Sequence, residues 1–120
     1  MLYQLRKVAI MLSVFLTISF ITGCTRSGGG PDTMPPTVPN GVSITAVSPS
    51  EVKISWKPSA DDRGVKGYKI YRNGAYANKT DLTSMKDTGL KPKVTYCYKV
   101  SAYDASGKES AQSTDVCAIL

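Results

Sequence analysis

The sequence predicts an all-β domain, a two-sheet sandwich of about seven antiparallel strands. From Val42 onward, short apolar runs alternate with polar residues and are separated by turn residues, and no stretch keeps helical periodicity for three turns. About 80 residues remain once an N-terminal leader and linker are set aside, enough for one small domain. Six or seven short strands in that length are typical of two packed sheets with Greek-key connections.

Residues 1–23 have the layout of a secretory signal, which we expect to be helical. Arg6 and Lys7 form a short positive region, and the apolar run from Val8 to Ile21 is shorter than the roughly 20 residues that span a bilayer. The run ends in Ile21-Thr22-Gly23-Cys24, which resembles a bacterial lipobox. The resemblance implies cleavage before Cys24 and lipid on its sulfur, which would hold the chain on a membrane. The alternatives are an ordinary signal peptide or an uncleaved anchor.

Residues 24–39 predict a flexible tether behind the lipidated cysteine. This stretch contains three consecutive glycines and four prolines with almost no apolar side chains, so it cannot bury a core. Thr25 follows Cys24, whereas enteric-type lipoproteins retained at the inner membrane tend to carry aspartate there. We therefore expect an exported, lipid-anchored chain in the bacterial cell envelope, with the outer membrane favoured.

Alternation places three strands in the first half of the domain, which we assign to residues 40–120. The first contains Val42, Ile44 and Val47, the second Val52, Ile54 and Trp56, and the third Tyr68 and Ile70. In the second strand polar residues intervene, so one face is apolar and the other faces water. Asn73-Gly74 follows the third strand and is a strong hairpin signal, because both central residues of a type I′ turn need positive φ.

Three further strands are predicted in the second half. A short one covers residues 83–86, a long one covers 94–103, and the last covers 111–119. In the long strand one face is formed by Tyr96, Tyr98, Val100 and Ala102.

Cys97 and Cys117 predict a cross-strand disulfide. If the last two strands form a hairpin centred on Gly107, Cys97 faces Cys117, Lys99 faces Asp115, and Tyr103 faces Ala111. Strand parity then puts both sulfurs on the outer face. An exported location permits the bond, which would contribute about 3 kcal/mol. The alternative is a redox-active dithiol, although the sequence lacks a Cys-x-x-Cys motif.

Several separated motifs resemble a fibronectin type III domain of the bacterial variety, which often occurs in chains that act on polysaccharides. They are Pro39-Asn40-Gly41-Val42, Ile54-Ser55-Trp56, Gly67-Tyr68-Lys69-Ile70-Tyr71-Arg72-Asn73-Gly74, Asp87-Thr88-Gly89-Leu90, the run 90–96, and Val100-Ser101-Ala102-Tyr103-Asp104. The resemblance covers roughly residues 37–120 and implies an immunoglobulin-like sandwich. It implies structural roles for Trp56 and Tyr68, and a tyrosine corner at Tyr96. Lys93, where glycine is common, departs from the pattern.

Four side chains predict a candidate binding face. Alternation turns Lys69 and Tyr71 outward on the third strand, and Lys99 and Tyr103 outward on the long strand. These strands are neighbours in the fibronectin type III fold, so the four should share one surface. Tyrosines beside cations suit protein or sugar recognition. The plain alternative is that strands simply favour tyrosine.

Composition argues against several functional classes. The chain has no histidine, which removes Ser-His-Asp triads, Cys-His pairs and histidine zinc sites. Without Arg6 and Lys7, the chain has 13 basic and nine acidic side chains. The lysines are spread along the sequence, so nucleic-acid binding is not expected. Asp61 and Asp62 alone cannot supply the six or more oxygen ligands of calcium. We expect no enzyme activity, no metal, and no cofactor apart from the lipid on Cys24.

These observations predict a membrane-anchored envelope lipoprotein whose module is a non-catalytic adaptor for an envelope or extracellular protein. A carbohydrate-binding or adhesion module, with a polysaccharide partner, and a passive spacer are the alternatives.

Overall fold

The computed structural model describes residue 31 and residues 33–120. The predicted signal helix, Cys24 and most of the predicted tether lie outside the described residues. In the described part, seven strands form two antiparallel sheets, which confirms the predicted all-β sandwich. No helix in that part has the length and apolar character needed to cross a membrane.

The two sheets have three and four strands. The strands are β1 (Ser43–Ser48), β2 (Glu51–Ser55), β3 (Val65–Arg72), β4 (Ala75–Thr80), β5 (Ser84–Asp87), β6 (Thr95–Asp104) and β7 (Val116–Ile119). One sheet has the order β1-β2-β5 and the other β4-β3-β6-β7. Both sheets thus join strands that are distant in sequence.

The inward faces of the sheets form one core. Its buried members are Val52, Ile54, Trp56, Tyr68, Ile70, Leu90, Tyr98, Val100 and Ala102. Trp56 meets Tyr68 edge to face with ring centroids 5.3 Å apart, and the Tyr68 hydroxyl accepts the Ser59 amide at 2.9 Å. The alternation in β2, β3 and β6 that the sequence displays is the alternation that fills this core.

An aspartate ties the two sheets together at one end. Asp87 on β5 accepts hydrogen bonds from Arg72 Nη1 at 2.8 Å and from the Tyr98 hydroxyl at 2.7 Å. Arg72 and Tyr98 belong to the opposite sheet, on β3 and β6. Burial first, and the bond to Asp87 second, raise the pKa of Tyr98 above its usual value. The phenol therefore stays protonated and keeps donating to Asp87.

Two side-chain hydrogen bonds hold the turn after β3 and the segment before β6. Asn73 and Gly74 have φ of 50° and 81°, as a type I′ turn requires, and Asn73 Oδ1 accepts the Cys97 amide at 2.9 Å. The Tyr96 hydroxyl accepts the Lys91 amide at 2.9 Å, which is the geometry of a tyrosine corner. Lys93 has φ of 62°, a conformation that favours glycine.

The domain begins earlier than the predicted boundary at residue 40. Pro36 and Pro39 are buried, and Thr37 exchanges two hydrogen bonds with Ala60, at 2.8 and 2.9 Å. The Lys57 amide also donates to the carbonyl of Asn40 at 2.9 Å. Residues 36–39, assigned to the tether from their proline content, therefore pack onto the domain. Proline fills this role well because it needs no main-chain donor partner.

The last strand is shorter than predicted. Cys97 and Cys117 face each other and form the disulfide that the sequence predicts. Beyond Lys99, however, the predicted register is wrong, because Tyr103 pairs with Glu109 and not with Ala111. The ladder slips by two residues between the disulfide and the turn, and residues 111–115 leave the strand.

Two serine side chains replace the missing strand beside β6. Ser113 Oγ accepts the Val100 amide at 2.9 Å, and Ser110 Oγ accepts the Ala102 amide at 3.0 Å. The amides of the same serines donate to the carbonyls of Val100 and Ala102, both at 2.8 Å. Because this part of β6 is buried, its polar groups must be satisfied, and the hydroxyls do so where the chain bulges away.

Ser113→Ala should therefore destabilise the domain by about 1–3 kcal/mol, because it leaves the buried Val100 amide without the hydroxyl acceptor. Denaturant unfolding of the purified chain measures the loss. Ser48→Ala is the matched control, since that hydroxyl accepts only an exposed amide at 3.3 Å. Equal stability of the two variants would contradict the role given to Ser113.

Candidate functional site

The predicted binding face lies on the four-stranded sheet. Tyr71 on β3 is directly opposite Lys99 on β6, and Tyr103 on β6 is directly opposite Gly67 on β3. We call the surface formed by Lys69, Tyr71, Tyr76, Lys99, Tyr103 and Glu109 the tyrosine face. The predicted members are half-buried instead of freely exposed. Two of them, Lys69 and Tyr71, bond to a carboxylate that the sequence did not indicate.

Glu109 is the centre of the tyrosine face. Its Oε2 lies 2.6 Å from Lys69 Nζ, while its Oε1 accepts hydrogen bonds from the Tyr71 hydroxyl at 2.5 Å and from Ser101 Oγ at 2.6 Å. These three donors come from β3 and β6, and Glu109 reaches them from the segment after the turn at 104–108. One carboxylate thus fixes the side chains of two strands.

The electrostatics of this cluster favour the ionised carboxylate. Desolvation raises the pKa of Glu109, but hydrogen bonds from Lys69, Ser101 and Tyr71 outweigh it and lower the pKa to about 2. The hydrogen bond to Glu109 also raises the pKa of Lys69. Burial and then the bond to Glu109 raise the pKa of Tyr71. At neutral pH the cluster is an ion pair with two hydroxyl donors and no net charge.

Tyr103 is held flat against β3 by a glycine. A Cβ placed on Gly67 would lie 2.7 Å from the Tyr103 hydroxyl and 3.0 Å from the Thr80 carbonyl oxygen, so only glycine fits there. Lys69 Nζ lies 5.6 Å from the centroid of the Tyr103 ring, within the range of a cation–π contact.

Tyr76 extends the face onto the edge strand. Its ring meets that of Tyr71 edge to face, with centroids 6.1 Å apart and planes inclined by 75°, and the residue is 57% exposed. A two-residue turn at Asn73-Gly74 places Tyr71 opposite Tyr76, as the register has it. The hairpin signal at Asn73-Gly74 therefore indicates Tyr76 as a partner of Tyr71, whereas strand alternation alone does not. Glu109 had no such signal, because the register that aligns the cysteines places it elsewhere.

Lys99 lies at the margin of the face and does not join the Glu109 cluster. Its Nζ is 4.0 Å from Asp115, the partner expected from the cysteine register, although Asp115 precedes β7. Both side chains are substantially exposed, so this ion pair contributes little to stability.

The described residues offer no metal centre. No group of three or more histidine, cysteine, aspartate or glutamate side chains in residue 31 and residues 33–120 is placed to hold an ion. Asp61 and Asp62 lie in the loop before β3, where Asp61 Oδ2 accepts the Arg63 amide at 3.2 Å. This is the local bonding of a turn aspartate.

Comparison with known proteins identifies the fold. The family model described as fibronectin type III domain matches residues 35–116. The chain belongs to the fibronectin type III family. A fibronectin type III domain is itself non-catalytic.

Its relatives include modules of far larger enzymes. The chain is 43% identical to Chitinase Chi52 of Paenibacillus xylanexedens over 86 residues, which is 72% of this chain and 16% of that protein. It is 45% identical to Exoglucanase B of Cellulomonas fimi over 83 residues, 69% of this chain and 8% of that protein. Chitinase ChiA74 from Bacillus thuringiensis superposes with a TM-score of 0.68 at 27% identity, covering 77% of this chain and 14% of the enzyme. The chain spans less than a fifth of the curated relatives that it matches.

Glu109→Gln should remove the pH dependence that the cluster confers between about pH 4.5 and pH 2. The pKa of Glu109 is lower in the folded chain than in the unfolded one, so its stabilisation is complete above about pH 4.5 and is lost as the pH falls toward 2. The stabilisation lost is on the order of 1–3 kcal/mol. Urea unfolding at a series of pH values measures it.

Asp115→Asn is the control for this titration, because Asp115 forms only the exposed pair with Lys99. An acid-stability curve of Glu109→Gln that overlays the wild-type curve would contradict the assignment.

Proposed function

We propose that this chain is a lipid-anchored, non-catalytic module of the bacterial cell envelope that binds another protein through the tyrosine face. The lipobox-like sequence ending at Cys24 supports the anchor. The observation that carries the proposal is the state of charge on the tyrosine face, where the carboxylate of Glu109 is already paired with Lys69 and bonded by two hydroxyls.

A partner can cover such a surface at little electrostatic cost. Burying an unpaired charge in an interface is expensive, whereas a carboxylate that is already paired and hydrogen-bonded costs less to desolvate. The aromatic rings of Tyr71 and Tyr76 then provide rigid contact area, and tyrosine is enriched at the centres of protein interfaces. The exposed pair of Lys99 and Asp115 lies at the rim.

Polysaccharide binding by the same face is the second candidate. It is favoured by the relatives whose names are chitinase and exoglucanase. The rings of Tyr71 and Tyr76 are inclined by 75°, however, and do not form one flat platform for a polymer surface. We therefore place the protein partner first and a single glycan chain on Tyr76 second.

Cys24→Ser should release the chain from the membrane. The wild-type chain, expressed in a bacterial host with labelled palmitate, should carry the label and sediment with membranes, while Cys24→Ser should do neither. The matched control replaces Cys97 and Cys117 by serine, which changes two cysteines without touching the lipid site. Label retained by Cys24→Ser would contradict the anchor.

Tyr71→Ala with Tyr76→Ala should reduce capture of the protein partner at least about tenfold, the usual effect of removing two central aromatic residues. Full-length chain is purified from its own envelope in mild detergent, and stoichiometric companions are counted by mass spectrometry. Val47→Ala with Leu82→Ala is the control, since both residues are well exposed and lie outside the tyrosine face. Thermal unfolding confirms that each variant is folded.

Three results would contradict the protein-binding proposal. A companion retained by the tyrosine variant would move the site off this face. Binding of the wild-type chain to chitin or cellulose, lost with the tyrosines and without a companion, would establish the second candidate. If the wild-type chain binds neither a companion protein nor a glycan, the passive spacer is the remaining interpretation.

A further inference from the structure

The outer face of the three-stranded sheet carries lysines and hydroxyls. We call it the lysine face. It consists of Ser43 and Thr45 on β1, Lys53 and Ser55 on β2, Ser84 and Lys86 on β5, and Lys57, which continues the alternation of β2. None of these side chains is aromatic or aliphatic, so the surface is unlike the tyrosine face on the opposite sheet.

The strand register places two cations side by side. Lys53 is directly opposite Lys86 on one side and directly opposite Thr45 on the other. Like charges in directly opposed positions destabilise a sheet. The four-stranded sheet has one such pair as well, Lys69 opposite Lys79, but there Lys69 is bonded to Glu109.

The charge of the lysine face is only partly compensated. Lys86 Nζ lies 3.3 Å from Glu51, but neither Lys53 nor Lys57 has a carboxylate within 4.0 Å among residues 33–120. On the opposite sheet Lys69, Arg72 and Lys99 each face an acid. Among residues 33–120, the lysine face therefore keeps two lysines, Lys53 and Lys57, without a carboxylate within 4.0 Å, and the opposite sheet keeps Lys79, which is directly opposite Lys69.

The geometry suits a linear ligand. Lys57 follows the end of β2 and is four residues, or about 13 Å in extended chain, from Lys53, while Lys86 is one strand spacing, about 5 Å, from Lys53. Between these cations lie hydroxyls, including the Ser43 and Ser55 pair with oxygens 2.9 Å apart. The aliphatic part of the Lys57 side chain lies along Gly41. A Cβ added to Gly41 would lie 3.0 Å from Lys57 Cγ.

We propose that the lysine face binds a carboxylated polysaccharide chain lying along β2. The lysines pair with carboxylates, and the serine and threonine hydroxyls bond to sugar hydroxyls between them. Charge complementarity selects an acidic chain, and the hydroxyl rows favour a sugar over a polymer that offers only charge. This site is separate from the tyrosine face and does not depend on the proposed protein partner.

The test is binding of full-length chain, in detergent, to immobilised polygalacturonate at low salt. We expect the wild type to bind, binding to weaken as salt screens the charges, and neutral dextran to capture nothing. Lys53→Gln with Lys86→Gln should weaken binding about tenfold, as expected for two surface charge contacts. Lys66→Gln with Lys91→Gln makes the same charge change at exposed lysines outside the face and should stay within about twofold of wild type.

Several results would overturn the proposal. Equal losses in the two double variants would mean that net charge alone drives binding. Equal affinity for polyphosphate, or for vesicles containing phosphatidylglycerol, would show that the lysine face recognises negative charge and not a sugar chain. A wild-type chain that fails to bind polygalacturonate would remove the site altogether.

Discussion

The main-chain hydrogen bonding of β6 is the constraint on which the rest of this domain depends. β6 is the longest strand in the described part, it carries Tyr98, Val100 and Ala102 into the core, and β3 pairs with one side of it from Tyr98 to Asp104. On its other side β7 covers only the four residues Thr95 to Tyr98. Buried amides further along would each cost about 1–3 kcal/mol if left without acceptors. The chain solves this with Ser110 and Ser113, which use main chain and hydroxyl together in place of a regular strand.

This solution creates the tyrosine face. With Ser110 turned inward, Glu109 projects onto the outer surface beside Tyr103, where Lys69, Tyr71 and Ser101 supply its partners. On the three-stranded sheet Glu51 lies 3.3 Å from Lys86, while Lys53 has no carboxylate within 4.0 Å among residues 33–120. A local requirement of β6 therefore places a paired carboxylate among the tyrosines on one side of the core, while, in the described part of the chain, Lys53 and Lys57 lie unpaired on the other side.

Much of the architecture could be predicted because it rests on local periodicity. The strand faces of β2, β3 and β6, the turn at Asn73 and Gly74, and the facing cysteines all follow from rules that span a few residues. The register beyond Lys99 could not be predicted, because a symmetric hairpin and a slipped one satisfy the same alternation. The choice between them depends on the hydroxyls of Ser110 and Ser113, which bond to β6 although their own segment forms no strand beside it. Glu109 was missed for the same reason, since its place depends on that slip.

The chain enters the domain at one end of the sandwich, away from both sheet faces. Thr37 bonds to Ala60, and Asn40 bonds to Lys57, so the polypeptide arrives at the end of the sandwich that carries the 57–64 loop. The pairing of Val65 with Asp104 places the turn after β6 at the same end. The tyrosine face and the lysine face lie instead along the sides of the two sheets. Because the two faces lie on opposite sides of the core, a ligand on one face would leave the other face accessible.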